Sequence, residues 1–82
     1  MIKVLFFSRL REQLGCDQLL VSDFAGTNVR ELLHHLQRKR PEWRDIFAQQ
    51  KVLSAVNQVM ATSETRILAN DEVAFFPQVT GG

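Results

Sequence analysis

Val29-Arg30-Glu31-Leu32-Leu33-His34-His35-Leu36-Gln37-Arg38-Lys39-Arg40 is the segment on which the reading of the fold turns. Val29, Leu32, Leu33 and Leu36 recur at i, i+3, i+4 and i+7, so a helix gathers them into one apolar stripe. Asn28 with Glu31 three residues on resembles a capping box, with Thr27 as a second candidate cap, and Pro41 stops the helix. A helix with one apolar stripe must lay it on another element, and the flanking segments supply strands.

Upstream, Ile2–Phe7 is rich in β-branched and aromatic residues and reads as a strand. Its pleat puts Ile2, Val4 and Phe6 on one face and Lys3, Leu5 and Phe7 on the other. Ser8–Leu14 reads as a short helix, N-capped by Ser8 and ended at Gly15. Gln18–Ser22 is a second strand, returning antiparallel. Downstream, Glu42–Gln49 adds a helical turn or two, with Trp43, Ile46 and Phe47 on its apolar side. Val52–Val56 and Val59–Ala61 form a hairpin about Asn57-Gln58, since Asn tolerates a positive φ. Thr62–Asp71 reads as a loop anchored by Ile67 and Leu68. Val73–Phe76 is the last strand, and Pro77 ends it by removing a donor. One amphipathic helix over one face of a mixed sheet gives an α+β roll of the ubiquitin-like, β-grasp kind. The first and last strands, apolar on both faces, belong at its centre. The expected division is a domain over 1–76 and an extended tail over 77–82.

Length and composition agree with one small unit. A chain of 82 residues buries only about 60–65% of its unfolded surface, which leaves little room for an internal substrate pocket. A formal charge of +1 is too small to steer the chain to a polyanion, so no nucleic-acid partner is expected. One cysteine excludes a disulfide framework within the chain and a Cys-rich zinc site. No apolar run approaches the ~20 residues of a membrane span, and the start does not read as a signal peptide. The expectation is a soluble cytoplasmic domain.

Catalytic groupings are scarce. His34 and His35 fall off the apolar stripe, and adjacent helical residues diverge by about 100°, so no shared metal ion is expected and both read as solvated. Arg38, Lys39 and Arg40 close the helix where cations complement its dipole. Cys16 follows Gly15 in a turn, with no base that would make it a nucleophile. The informative segment is the last: Phe75-Phe76-Pro77-Gln78-Val79-Thr80-Gly81-Gly82. A Gly-Gly ending is weak evidence by itself, but a backbone without Cβ atoms threads a narrow channel. Six extended residues at ~3.3 Å each would carry the Gly82 carboxylate roughly 20 Å from the sheet. A carboxylate is a poor electrophile until its oxygen is made a leaving group, and adenylation by ATP does that without a catalytic side chain from the carrier.

These residues resemble the MoaD-type small subunit of molybdopterin synthase over nearly the whole chain. The resemblance runs through Met1–Phe7, Arg11-Glu12, Gly15, Ala55-Val56-Asn57-Gln58, Asp71–Pro77 and Val79-Thr80-Gly81-Gly82. The ending FFP-x-V-x-GG is its specific part. Two departures are Gln78, where such tails often carry a second Pro, and Ala69-Asn70-Asp71, where Asp-Gly-Asp is common. Asn70 suits a left-handed turn position, so the fold is not threatened.

The resemblance implies a sulfur carrier with no permanently bound cofactor and no metal. A MoeB-type activating enzyme would use ATP to place a transient AMP on Gly82, and a persulfide donor would convert the adenylate to a thiocarboxylate. A MoaE-type large subunit, in a heterotetramer, would receive the tail with Thr80 and Gly81 threaded. Two sulfurs would then pass to cyclic pyranopterin monophosphate to make the molybdopterin dithiolene. The carrier would not be an enzyme on its own. The resemblance also places partner contacts at Phe7, Met60 and Phe76; the pleat turns Phe7 away from the helix, and Phe76 with it if Val73 and Phe75 face the core, while Met60 follows just past the hairpin turn. Alternatives are a thiamine-type sulfur carrier and a ubiquitin-like protein modifier.

Overall fold

The computed structural model describes residues 1–78. The order is β1 (Ile2–Phe6), α1 (Ser8–Leu14), β2 (Gln18–Val21), α2 (Val29–Lys39), a 3₁₀ turn (Pro41–Trp43), α3 (Arg44–Ala48), β3 (Val52–Val56), β4 (Val59–Ala61) and β5 (Glu72–Pro77). The strands form one mixed sheet in the order β2-β1-β5-β3-β4, so the first and last strands are interior. β1 and β5 run parallel, Val4 opposite Val73 and Phe6 opposite Phe75, while the other pairs are antiparallel. This is the β-grasp roll expected from the element order.

The inner face of the sheet holds the core. Val4, Phe6, Val73 and Phe75 lie under Leu10 of α1 and Leu32 and Leu36 of α2, all essentially inaccessible to solvent. Phe6 meets the Trp43 ring edge-on at 5.4 Å and stacks at 6.1 Å on Phe75, and Trp43 in turn packs edge-on against Phe47. Such aromatic pairs add to the burial of area. The 3₁₀ turn and α3 therefore exist to deliver Trp43 and Phe47 to the end of the core. Between Lys39 and that turn, Arg40 is held extended (φ −128, ψ 80), as a residue before proline must be. Ser54 is the inward residue at the middle of β3, and its small side chain sits beside Phe75.

Helix ends follow the chemistry of their caps, with two changes from expectation. Asn28 accepts from Glu31 N at 2.9 Å, as in a capping box, but the Glu31 carboxylate reaches back past Asn28 to Thr27 N and Oγ1, both at 2.7 Å. Ser8 does not cap α1. Phe7 stays extended as the cap residue with no side-chain bond, and Ser8 turns the corner at φ +57. The reason is the abrupt change from strand to helix, with only Phe7 between the end of β1 and the first residue of α1. Gly15 (φ +66) closes α1 with its N–H on the Arg11 and Glu12 carbonyls.

β5 extends one residue beyond expectation at each end, and Pro77, expected as the first tail residue, is buried and opposite Val52. Its missing donor costs nothing there. The next rung of the parallel ladder would run from an N–H at position 77 to the Phe7 carbonyl, and that carbonyl instead accepts from Arg11 N of α1. On the β3 side, the ladder resumes with Gln78 N donating to Lys51 O at 3.0 Å.

The remaining loops hinge on Asn57, Asn70 and Asp71. Asn57 and Gln58 both take positive φ (50° and 70°), as the tight hairpin requires. Asn57 Oδ1 accepts from Glu72 N and its Nδ2 donates to Asp71 Oδ1, while Asp71 Oδ2 accepts from Leu68 N. Asn70 takes the expected left-handed conformation (φ +69). Ile67 anchors the loop in the core, whereas Leu68, expected as a second anchor, is 59% exposed. Ile67 N bonds to Thr27 O and turns its side chain inward, so its neighbour must face out.

Two outcomes are expected. Leu32→Ala removes the most central contact of α2 and should cost about 2–5 kcal/mol, read as a lower denaturant midpoint at unchanged slope. The Leu68 N–H and the Asn57 amide hold the Asp71 carboxyl below its ordinary value of 3.8. A lowered carboxyl stabilises the fold above its unfolded pKa and loses that contribution as pH falls through the folded value. Acid should therefore lower the melting temperature, and Asp71→Asn should show a shallower decline than the unaltered chain as pH falls through and below the ordinary carboxylate range.

Candidate functional site

The outer face of the sheet is the side chains left over once the core is filled. Leu5 stands opposite Ala74, Ala74 opposite Ala55, and Ala55 opposite Met60, so one row crosses β1, β5, β3 and β4. Beside it, Phe76 stands opposite Leu53. Phe7 continues the β1 pleat in extended backbone (φ −123, ψ 159), with its N–H on Phe75 O, which sets it next to Phe76. Phe7 is 43% and Met60 62% exposed, and Leu5, Leu53, Ala55, Ala74 and Phe76 are half-buried. The buried side chains of α1, α2 and α3 all belong to the inner core.

Polarity divides this face along the strands. Lys3 and Glu72 form the row nearest the Asn57 turn, whereas Phe7, Phe76 and Leu53 form the row nearest the end of β5. The apolar part therefore lies within two residues of Gln78. The expected partner residues Phe7, Met60 and Phe76 do share one face, Phe7 and Phe76 as neighbours and Met60 two strands away. Leu53, Ala55 and Ala74 complete the patch and were not singled out from sequence. The misleading residue is Ser54, a polar side chain facing in, which makes the alternation of β3 read backwards. Val79, Thr80, Gly81 and Gly82, the last four residues of the tail expected over 77–82, lie outside the described residues.

The side chains considered for other chemistry have structural occupations. His34 is exposed on α2. His35, expected to be solvated, is not: its side chain is 12% exposed, lies edge-on to Phe24 at 5.6 Å, and donates from Nε2 to Asp23 Oδ1 at 3.0 Å. The loop after β2 folds back over α2 and covers it, which no helical periodicity announces. Asp23 also pairs with Lys39, and Lys39 and His35 together lower its carboxyl to about 2. Arg40 lies over the Trp43 ring, 5.0 Å from its centroid. The half-buried Cys16 thiol faces the Gln18 carbonyl at 3.5 Å. Among the described residues, no three His, Cys, Asp or Glu side chains gather where they would hold a metal ion, and no helix is long and apolar enough to cross a membrane.

Known proteins share both sequence and shape with this chain. The model of the ThiS family matches residues 4–82. The molybdopterin synthase sulfur carrier subunit of Haemophilus influenzae is 43% identical over an alignment covering all of both chains. That of Escherichia coli is 42% identical, again over the whole of both. Among solved structures, small archaeal modifier protein 1 of Haloferax volcanii superposes with a TM-score of 0.77 at 21% identity, over 95% of this chain and 97% of its own. A chain of the Helicobacter pylori complex of subunits 1 and 2 of molybdopterin-converting factor does so with a TM-score of 0.64 at 17% identity, over 99% and 97%. At those identities the structures speak for the fold, and the sequence matches speak for the family. The chain belongs to the ThiS family and, within it, stands with the sulfur carrier subunits of molybdopterin synthase.

Proposed function

We propose that this chain is the sulfur-carrying small subunit of a molybdopterin synthase. The observation that carries the reading is the full-length identity to sulfur carrier subunits of that enzyme. The apolar outer face beside the end of β5 supports it, because a carrier whose tail enters a partner's site needs a surface that holds it there. Contiguous apolar surface on a small protein ordinarily marks such an interaction.

The chemistry needs only the Gly82 carboxylate from this chain. One carboxylate oxygen attacks the α-phosphorus of ATP on an activating enzyme, and pyrophosphate leaves. The terminal sulfur of a persulfide then attacks the acyl carbon, and AMP leaves. A thiol cleaves the resulting S–S bond, becoming half of a disulfide, and Gly82 is left as a thiocarboxylate. On the large subunit that sulfur attacks a carbon of cyclic pyranopterin monophosphate, the C–O bond at that carbon breaks and its oxygen leaves as water or on phosphate, and hydrolysis of the acyl–sulfur bond restores the carboxylate. Residues that orient substrate and move protons belong to the partners. Gly81 and Thr80 lie along the threaded tail, where side-chain bulk at Gly81 would obstruct a narrow channel.

Two experiments test this reading. Incubation with a MoeB-type enzyme, ATP and a persulfide donor should raise the intact mass by the difference between sulfur and oxygen. The gain should be lost on deleting Gly82 or adding a residue after it, with folding unchanged. Adducts on lysine instead of a mass gain at the terminus would make the chain a protein modifier. Phe7→Arg and Phe76→Arg should each weaken binding to the MoaE-type subunit by about tenfold or more in calorimetry, a loss expected when an apolar anchor at an interface is replaced by a charge. Phe6→Arg, in the core, should abolish folding. Unchanged affinity in both outer-face variants would remove this face as the docking surface.

A further inference from the structure

The chain has two methionines, alike in exposure and unlike in surroundings. Met1 is 60% and Met60 62% exposed. Met1 stands at the polar end of the sheet, where its ammonium donates to Asn70 Oδ1 at 3.2 Å. Met60 lies on β4, the last strand of the sheet, and faces outward opposite Ala55. Between Met60 and Leu5 the same row holds only the methyl groups of Ala55 and Ala74. The thioether is therefore the outer wall of a shallow apolar step, open to water on the side where no further strand follows.

A thioether has no proton to lose, so it needs no neighbouring base to react with a peroxide. Its sulfur attacks one oxygen of a hydroperoxide and the O–O bond breaks. The other oxygen takes up the proton and leaves as water or an alcohol. Sulfur is oxidised by two electrons, and the peroxide is reduced by the same two. The sulfoxide is polar and accepts hydrogen bonds from water, which an apolar partner surface would strip from it. The remaining sulfur, that of Cys16, is half-buried and packs against the core.

From these features we infer that Met60 is a reversible oxidation site whose sulfoxide releases the large subunit from the outer face. The inference rests on the reading of that face as the docking surface. Oxidation leaves the fold intact, because the Met60 side chain is no part of the core. A dithiol reductase restores the thioether, its oxygen leaving as water while the two thiols join as a disulfide. Docking and oxidation compete for one surface: the docked thioether is out of reach of peroxide, and the oxidised one docks weakly. A carrier that has met peroxide is thus held off its partner until a reductase acts.

The test treats the full chain with hydrogen peroxide, then with dithiothreitol to reverse thiol oxidation, and locates the added oxygen by peptide mass. Binding to the MoaE-type subunit is then measured by calorimetry. The oxidised chain should keep its circular dichroism and bind about fivefold or more weakly, as expected when a polar group is desolvated without a partner. A methionine sulfoxide reductase should restore the affinity. Met60→Leu keeps Met1 and Cys16, and peroxide should leave its affinity where it stood before treatment. Met60→Gln should weaken binding without peroxide. In the complex, Met60 should oxidise more slowly relative to Met1 than it does in the free chain. Undiminished affinity of the Met60 sulfoxide, in a chain whose binding Phe7→Arg weakens, would overturn this inference alone. So would loss of the fold on oxidation, Met60 left unoxidised while Met1 takes up oxygen, or an equal loss of affinity on peroxide in Met60→Leu. Binding indifferent to both Phe7→Arg and Phe76→Arg would remove the docking reading itself, and this inference with it.

Discussion

The parallel pairing of β1 with β5 is the constraint from which the rest of the molecule follows. With Phe6 opposite Phe75, both rings turn inward to meet Trp43, and Phe7 and Phe76 necessarily turn outward together. A slip of one residue would exchange the two sets and put the core in water. The buried aromatic cluster and the exposed apolar patch are thus two outcomes of a single register. Burial of the inner set fixes where the outer set stands.

That coupling accounts for how much was legible in the sequence. Strongly patterned elements announced themselves: the stripe of α2, the alternation of Ile2, Val4 and Phe6, and the Asn57-Gln58 turn all lie where the residues indicated. The central position of β1 and β5 followed from their apolar residues on both faces. What escaped was set by tertiary contact. His35 is sheltered by a loop that is distant along the helix, and Leu68 is turned out by a hydrogen bond made one residue earlier. Ser54 hid the outward direction of Leu53 and Ala55, because packing beside Phe75 asks for a small side chain rather than an apolar one. Phe7, Met60 and Phe76 were legible as outward-facing residues from pleat and resemblance, whereas the register that makes Phe7 and Phe76 neighbours needed the pairing itself.

The two ends of the sheet are built differently. Near the hairpin turn, the Asn57 and Asp71 side chains close the loops by bonding each other and the N–H groups of Glu72 and Leu68, and Lys3 and Glu72 make the outer face polar. Near Gln78 the outer face is apolar, and the backbone is completed by α1 and by Lys51. Structural polar chemistry is thereby kept away from the end where a partner would need a dry contact. The carrier reading asks little else of the fold: a rigid sheet, one adhesive end and a chain leaving from that end.

The position of β5 also decides how the domain responds to being pulled. A load applied at Gln78 runs along the axis of a strand bonded on both flanks, to β1 through Phe75 and to β3 through Lys51. Those bonds lie across the direction of pull, so they are sheared together rather than peeled off singly as on an edge strand. Pro77 weakens only a rung that α1 has already claimed. The strand is therefore anchored like a rope spliced into the middle of a weave, and a pull at Gln78 does not unravel the cloth.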